Sequence, residues 1–153
     1  MSFDTHGSTM MGVSPAALAS WWSEAATTPF AVGANCGIGP ADVVAAVSEI
    51  HAADPSLVAI AKGNCGVPEV IDGTLWYPTS SDDMTAYAEL ALDAGARIIG
   101  ACCGSVPAHI SQIRQAIDTY TPGDFTTESL EERLGPVSRS TRTRERRSRR
   151  SSS

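Results

Sequence analysis

The stretch "GARIIGACCGSVPAHI", residues 95–110, holds a strand, a loop and the start of a helix. A short apolar run ends at Gly100; Cys102 and Cys103 stand side by side; Gly104 interrupts the chain; and Pro107 opens a helical pattern that places Ile110, Ile113 and Ile117 on one inward face. A run that is apolar without alternation reads as a parallel strand covered on both faces. Proline suits the first turn of a helix, where its missing N–H has no partner to lose. The reading is therefore a strand over 96–103 followed by a helix over 105–117.

The same unit recurs upstream. "MSFDT" (1–5) reads as the end of a strand and "SPAALASWWSEAA" (14–26) as a helix. Ser14 is a fitting N-cap there, and Leu18, Trp21, Trp22 and Ala25 recur at helical spacing. "PFAVGANC" (29–36) is a strand, and "PADVVAAVSEI" (40–50) a helix with Val43, Val44, Val47 and Ile50 on one face. "SLVAIAKGNC" (56–65) is a strand with its exit loop, and "SSDDMTAYAELALDAG" (80–95) a helix with acids in its first turn, where the helix dipole favours them. Residues 120–136 form a polar extension with a helical turn around Leu130. Four strand–helix units imply right-handed βαβ crossovers and four main parallel strands, ending near 5, 36, 62 and 101. A (β/α)8 barrel needs eight units and typically ~250 residues. The fold class is thus α/β with parallel units: a small open sheet or the second half of a barrel.

Composition narrows the function. Hydrophobic residues make up 42% and aromatics 6% of the 153 residues, as expected of an Ala/Val/Ile-rich α/β protein. No apolar run reaches the ~18–20 residues that span a membrane, and "MSFDTHGSTMMG" has neither the basic nor the apolar region of a signal peptide. The expected compartment is the reducing cytoplasm, where clustered cysteines are more often metal ligands or catalysts than disulfides. Charge is uneven: residues 137–153 carry seven Arg and one Glu, whereas residues 1–136 carry four basic and sixteen acidic side chains. The expected organisation is a body over 1–120, the extension over 121–136 and a disordered Arg/Ser-rich tail over 137–153. The tail reads as solvated or resting on the chain's own acidic body; nucleic-acid association through it is the alternative. There is no Walker loop, no GxGxxG and no Ser-His-Asp pattern.

Three of the four cysteines share a context. Cys36 ends a strand in "GANCGIGP", and Cys102 and Cys103 end another in "GACCGSVP", 66 residues later. The C-terminal ends of parallel strands converge on the site face of α/β folds. Gly100 and Gly104 let the backbone leave the strand so that two adjacent thiols turn toward one point. Three thiolates fill three positions of a tetrahedral zinc and leave the fourth open, as catalytic rather than structural sites do. Two other readings stand beside this one: buried free cysteines as ordinary core residues, and a redox pair, against which the strain of a vicinal disulfide weighs.

"GANCGIGP", "KGNCGVPE" and "GARIIGACCGSVPAHI", with the opening "SFDTHGSTMMG", resemble the C-terminal half of the homocysteine S-methyltransferase family, over roughly residues 1–118. That family includes betaine–homocysteine methyltransferases and the homocysteine domain of cobalamin-dependent methionine synthase. The resemblance implies a (β/α)8 barrel and one Zn2+ held by Cys36, Cys102 and Cys103. It implies a homocysteine thiol that loses its proton at the open zinc position and attacks a methyl group carried on nitrogen, sulfur or cobalt. Asn35 and Asn64 are candidate substrate-binding residues, and Gly33 and Gly104 let backbone approach the site. The first four βα units of such a barrel, with the acidic groups that hold the homocysteine amino group and much of the methyl-donor pocket, are not among these residues. The expected partners are therefore homocysteine, a small methyl donor, and an N-terminal half-barrel or a second copy; a zinc-binding half-barrel without catalysis is the alternative.

The chain departs from the family's usual "PNAG" in having "GNCG" at 63–66. The extra thiol, Cys65, reads as a small core or loop residue rather than a fourth ligand. His6 reads as a loop residue, His51 as a partner of its helix's C-terminal dipole, and His109 as a partly exposed residue of a first turn. Trp76 and Tyr77 read as capping a loop, with a cage for a quaternary ammonium as the other possibility.

Overall fold

The computed structural model describes residues 1–27 and 29–138; the Arg-rich segment from 139 onward lies outside the described residues. Three strands, β1 (Val32–Asn35), β2 (Ala59–Gly63) and β5 (Ala96–Ala101), form a parallel sheet in the order β1-β2-β5. The intervening helices are α2 (Pro40–Ala53) and α3 (Ser81–Asp93), flanked by α1 (Pro15–Glu24), α4 (Pro107–Thr119) and α5 (Thr127–Leu134).

The strand order never reverses. Right-handed crossovers that step in one direction set their helices on one side of the sheet. Burial follows this: Val32, Ala34, Ala59, Ala61 and Ala96 lie in the core beneath the helices. The alternate residues Gly33, Asn35, Ile60, Lys62, Ile98 and Gly100 form the other face, on which Lys62 is exposed and Ile98 is 40% exposed. The expectation of cover on both faces is corrected: one face is covered and one is open. Small residues on the covered face admit the helices closely, and Val43, Val44, Val47 and Ile50 fill the space as expected.

The first expected strand is also corrected. Only Met1 pairs with the sheet: its ammonium donates to the Gly33 carbonyl at 2.7 Å and its carbonyl accepts the Asn35 N–H at 2.9 Å. The chain then turns through the Thr5–Ser8 bridge with His6 (φ 52) and Gly7 (φ 76). One rung is not a strand, so the described sheet has three strands rather than four.

Ser14 caps α1, its Oγ accepting the Ala17 N–H at 3.2 Å, but the buried stripe is Pro15, Leu18 and Ala19, with Trp21 61% exposed. α1 packs chiefly on α2, and this contact takes a narrower stripe than the sequence spacing implied. On α4, likewise, Ile113 and Ala116 are buried against α3 and β5, while Ile110 is 49% exposed at the rim. The polar extension holds a complete short helix, α5, whose Leu130 is fully buried against α2 and α3. Val137, expected in the tail, is buried in the core, and the Ser138 N–H donates to Asp42 Oδ1 at 3.2 Å. These two apolar side chains fasten a segment whose composition is otherwise that of a solvated linker.

An antiparallel hairpin not expected from the sequence joins β3 (Glu69–Ile71) to β4 (Thr74–Trp76). Its turn is Asp72-Gly73, both at positive φ (50 and 77), as a two-residue hairpin turn with the native twist requires.

Tyr87 of α3 fixes the end of the sheet. Its buried hydroxyl accepts the Gly63 N–H at 2.8 Å and donates to the Gly100 carbonyl at 3.2 Å, clamping β2 to β5 where both strands stop. Burial pushes the phenol well above its ordinary pKa. Tyr87→Phe keeps the ring and removes the clamp; a loss of about 1–3 kcal/mol is expected. It would be read as a lower urea midpoint at unchanged slope, and an unchanged midpoint would show that the hydroxyl carries no stability.

Candidate metal centre

The end of β2 positions residues from both neighbouring strands. The Cys36 N–H donates to the Lys62 carbonyl at 3.0 Å, and the Cys102 N–H to the Gly63 carbonyl at 2.8 Å. Cys36 itself sits in the left-handed region (φ 57), uncommon for a residue with a side chain, and the turn redirects its thiol out of the line of β1. On the other side Ser105 N–H closes back on the Cys102 carbonyl at 3.3 Å. Gly104 (φ 79) makes that turn possible, since a Cβ there would lie 2.4 Å from the Tyr77 ring.

The sulfurs of Cys36 and Cys103 are 3.6 Å apart, those of Cys102 and Cys103 3.9 Å, and all three lie within 4.8 Å of one another. A tetrahedral zinc with Zn–S bonds of about 2.3 Å needs sulfurs about 3.8 Å apart, and thiolate is the donor it prefers. The spacing and the chemistry of the donor set therefore both fit zinc. Burial, thiol hydrogen bonds and the neighbouring sulfurs push the Cys36 thiol up to about 11. Burial also acts to raise Cys102, but hydrogen bonds from Cys36 and Cys103 and the charge of Lys62 outweigh it and leave this thiol below its ordinary value.

The other candidates are distributed around the cluster. Cys65 is buried outside the three-thiol group, with its Sγ 3.4 Å from Ser105 Oγ and 3.7 Å from His109 Nδ1, and its N–H on the Cys103 carbonyl at 3.0 Å. His109, half-buried, uses Nδ1 to accept the Val106 N–H at 3.0 Å and so caps α4. Asn64 is buried; its Nδ2 donates to the carbonyls of Gly37 (3.1 Å) and Gly66 (3.3 Å), tying the loop after β1 to the loop after β2. Its Oδ1 is buried with no hydrogen-bond partner among the described residues. Asn35 Nδ2 reaches Ser2 Oγ at 3.4 Å, and so holds the N-terminal segment. His6 is exposed and stands apart from the group. His51, in the last turn of α2, lies with its ring against Gly95, where a Cβ would meet it at 2.4 Å. Tyr77 packs on Gly104, and Trp76 is exposed on the hairpin. Two residues at the site were missed from the sequence: Tyr87, which looks like any buried helix aromatic, and Lys62, whose signal was a lone charge within an apolar strand.

The family model for homocysteine S-methyltransferase matches residues 1–117. Among curated proteins, the methionine synthase of Mycobacterium tuberculosis (strain ATCC 25618 / H37Rv) is 32% identical over 89 residues, 56% of this chain and 7% of that protein. The methionine synthase of Mycobacterium leprae (strain TN) is 30% identical over 95 residues, 60% of this chain and 8% of that protein. The chain thus spans less than a tenth of the length of these relatives.

The 153-residue chain is expected to take up one zinc ion, and Cys36→Ser or Cys103→Ser to lose stoichiometric uptake, while Cys65→Ala keeps it; metal analysis after desalting checks this. Each thiol must surrender its proton to the metal, and Cys36 holds its proton up to about 11. Zinc affinity should therefore fall with pH below that value, by about tenfold per unit for each proton released. A flat affinity between pH 6 and 8 would exclude thiol ligands.

Proposed function

The chain belongs to the homocysteine S-methyltransferase family, and on that basis we propose that it serves the zinc-dependent transfer of a methyl group to the thiol of homocysteine, giving methionine, as the half of a (β/α)8 barrel that carries the metal ligands. The observation that carries this reading is the meeting of three thiols within 4.8 Å at the C-terminal ends of parallel strands. Bound zinc would supply a thiolate nucleophile at neutral pH and fix where it stands.

The chain's own residues do the rest. Cys36, Cys102 and Cys103 hold the metal, and no His, Cys or carboxylate among the described residues joins their group as a fourth donor, which leaves a position for a thiol substrate. Asn64 braces one thiol-bearing loop through the Gly37 carbonyl. Tyr77, lying on Gly104, supports the turn of the other. The four free cysteines suit a reducing compartment, the cytoplasm, and no helix among the described residues is long and apolar enough to cross a membrane.

The open sheet face favours a second element of the reading: cover by an N-terminal half-barrel or a second copy. Until that cover is present, the acidic groups expected to hold the substrate's amino group are missing, and orientation supplies a large part of any rate. The isolated chain should therefore bind zinc yet convert homocysteine to methionine slowly with betaine, S-methylmethionine or methylcobalamin, and Cys102→Ser should abolish what remains. Light scattering should show a species larger than a monomer. Robust methionine synthesis by a monomer would defeat the half-barrel reading, and undiminished turnover in Cys102→Ser would defeat the metal-centre reading.

A further inference from the structure

On the open face of the sheet, beside the thiols, stands the only lysine of the chain. Lys62 is paired across one side with Asn35 of β1 and across the other with Gly100 of β5. Its stem runs along Gly100, where a Cβ would lie 3.6 Å from Lys62 Cγ and 3.8 Å from Cε. Gly100 stands two residues before Cys102, and the Lys62 carbonyl accepts the Cys36 N–H at 3.0 Å, so Lys62 lies on the strand end between the two thiol-bearing loops. The loops that leave the strands at this end, 36–40, 63–80 and 102–106, contain no Lys or Arg but do contain Glu69 and Asp72. The ion pairs among the described residues, Arg114–Asp118 and Arg133–Glu89, do not involve Lys62. Among the described residues, then, the one lysine of an acidic body has no carboxylate partner, and it stands at the strand end that carries the three thiols.

We propose that Lys62 is a substrate-binding residue whose ammonium takes the carboxylate of the amino-acid thiol held at the metal centre, and so selects thiols that bear a carboxylate. The proposal rests on reading Cys36, Cys102 and Cys103 as a metal site for a thiol substrate. In homocysteine three carbons separate sulfur from carboxyl carbon, so a sulfur at the cluster puts the carboxylate a short side-chain's length away, over the strand ends. A cation is needed there that lies beside the thiols without ligating the metal. An ammonium on a flexible stem meets that need, and charge-assisted hydrogen bonds to a carboxylate are among the stronger ones available. Glycine at position 100 leaves the space that stem and carboxylate would share.

The test uses the full chain loaded with Co2+ in place of zinc, with thiol binding read from the thiolate-to-cobalt absorption. L-homocysteine is compared with 3-aminopropane-1-thiol, which has the same thiol and amine and no carboxylate. Wild-type protein should bind homocysteine about tenfold or more tightly than the analogue. Lys62→Met should keep stoichiometric metal and bind the two alike, with Lys62→Arg recovering part of the preference. The proposal is overturned if Lys62→Met still prefers homocysteine, if wild-type protein shows no preference, or if Lys62→Met loses its metal, which would assign the ammonium to the ligand thiolates. If neither thiol perturbs the cobalt spectrum of the wild type, the metal-centre reading itself has failed and the lysine's role falls with it.

Discussion

Two carbonyls at the end of β2 hold the site together. The Lys62 carbonyl accepts the N–H of Cys36 and the Gly63 carbonyl that of Cys102, so the middle strand sets the relative height of loops that are 66 residues apart in sequence. Register alone would not bring the sulfurs together. β1 and β5 are both neighbours of β2, about 9.5 Å from each other at two strand spacings, yet Cys36 and Cys103 approach to 3.6 Å. The thiols must lean over the end of the strand between them. That requires the left-handed turn at Cys36 and the glycine turn at 104. Tyr87 then closes β2 on β5 from beneath, its ring so near Gly63 that a Cβ there would sit 3.0 Å from it.

What the sequence made legible is what depends on local pattern. The apolar face of α2, the serine cap of α1 and the grouping of Cys36 with Cys102 and Cys103 followed from spacing and strand-end position, and family resemblance turned the group into a specific ligand set. What escaped depends on partners that pattern does not reveal. Trp21 and Ile110 have helical spacing but lie outside the stripes that α2 and α3 actually cover. "MSFDT" has strand-like residues, but only Met1 finds a rung on β1. The Asp72-Gly73 turn carries a strong hairpin signal. Beside it, Val70-Ile71 and Leu75-Trp76 are adjacent apolar pairs, so no apolar–polar alternation marks a half-buried strand on either side. Leu130 and Val137 were too few to advertise a docked helix, although both are buried.

The open face is graded along its length. One row in register, Gly33, Ile60 and Ile98, is aliphatic apart from its glycine; the next row toward the thiols, Asn35, Lys62 and Gly100, is polar or bare. Gly33 can be nothing larger, since a Cβ would lie 1.9 Å from the Ile60 carbonyl oxygen. Closed barrels fill their interior with layers of side chains and place their chemistry at the C-terminal rim. On the half-barrel reading proposed above, the Ile60–Ile98 row would be such a filling layer and the Asn35–Lys62–Gly100 row the rim. A covering element would bury the first row and gain from doing so at ~25 cal/mol per Å² of apolar surface. It would have little to gain at the second, where burying the Lys62 ammonium without a counter-charge would be costly. Apolar surface and polar access thus fall on successive rows of one face, so an element laid over the first row would leave the thiols and the lysine of the second open to water.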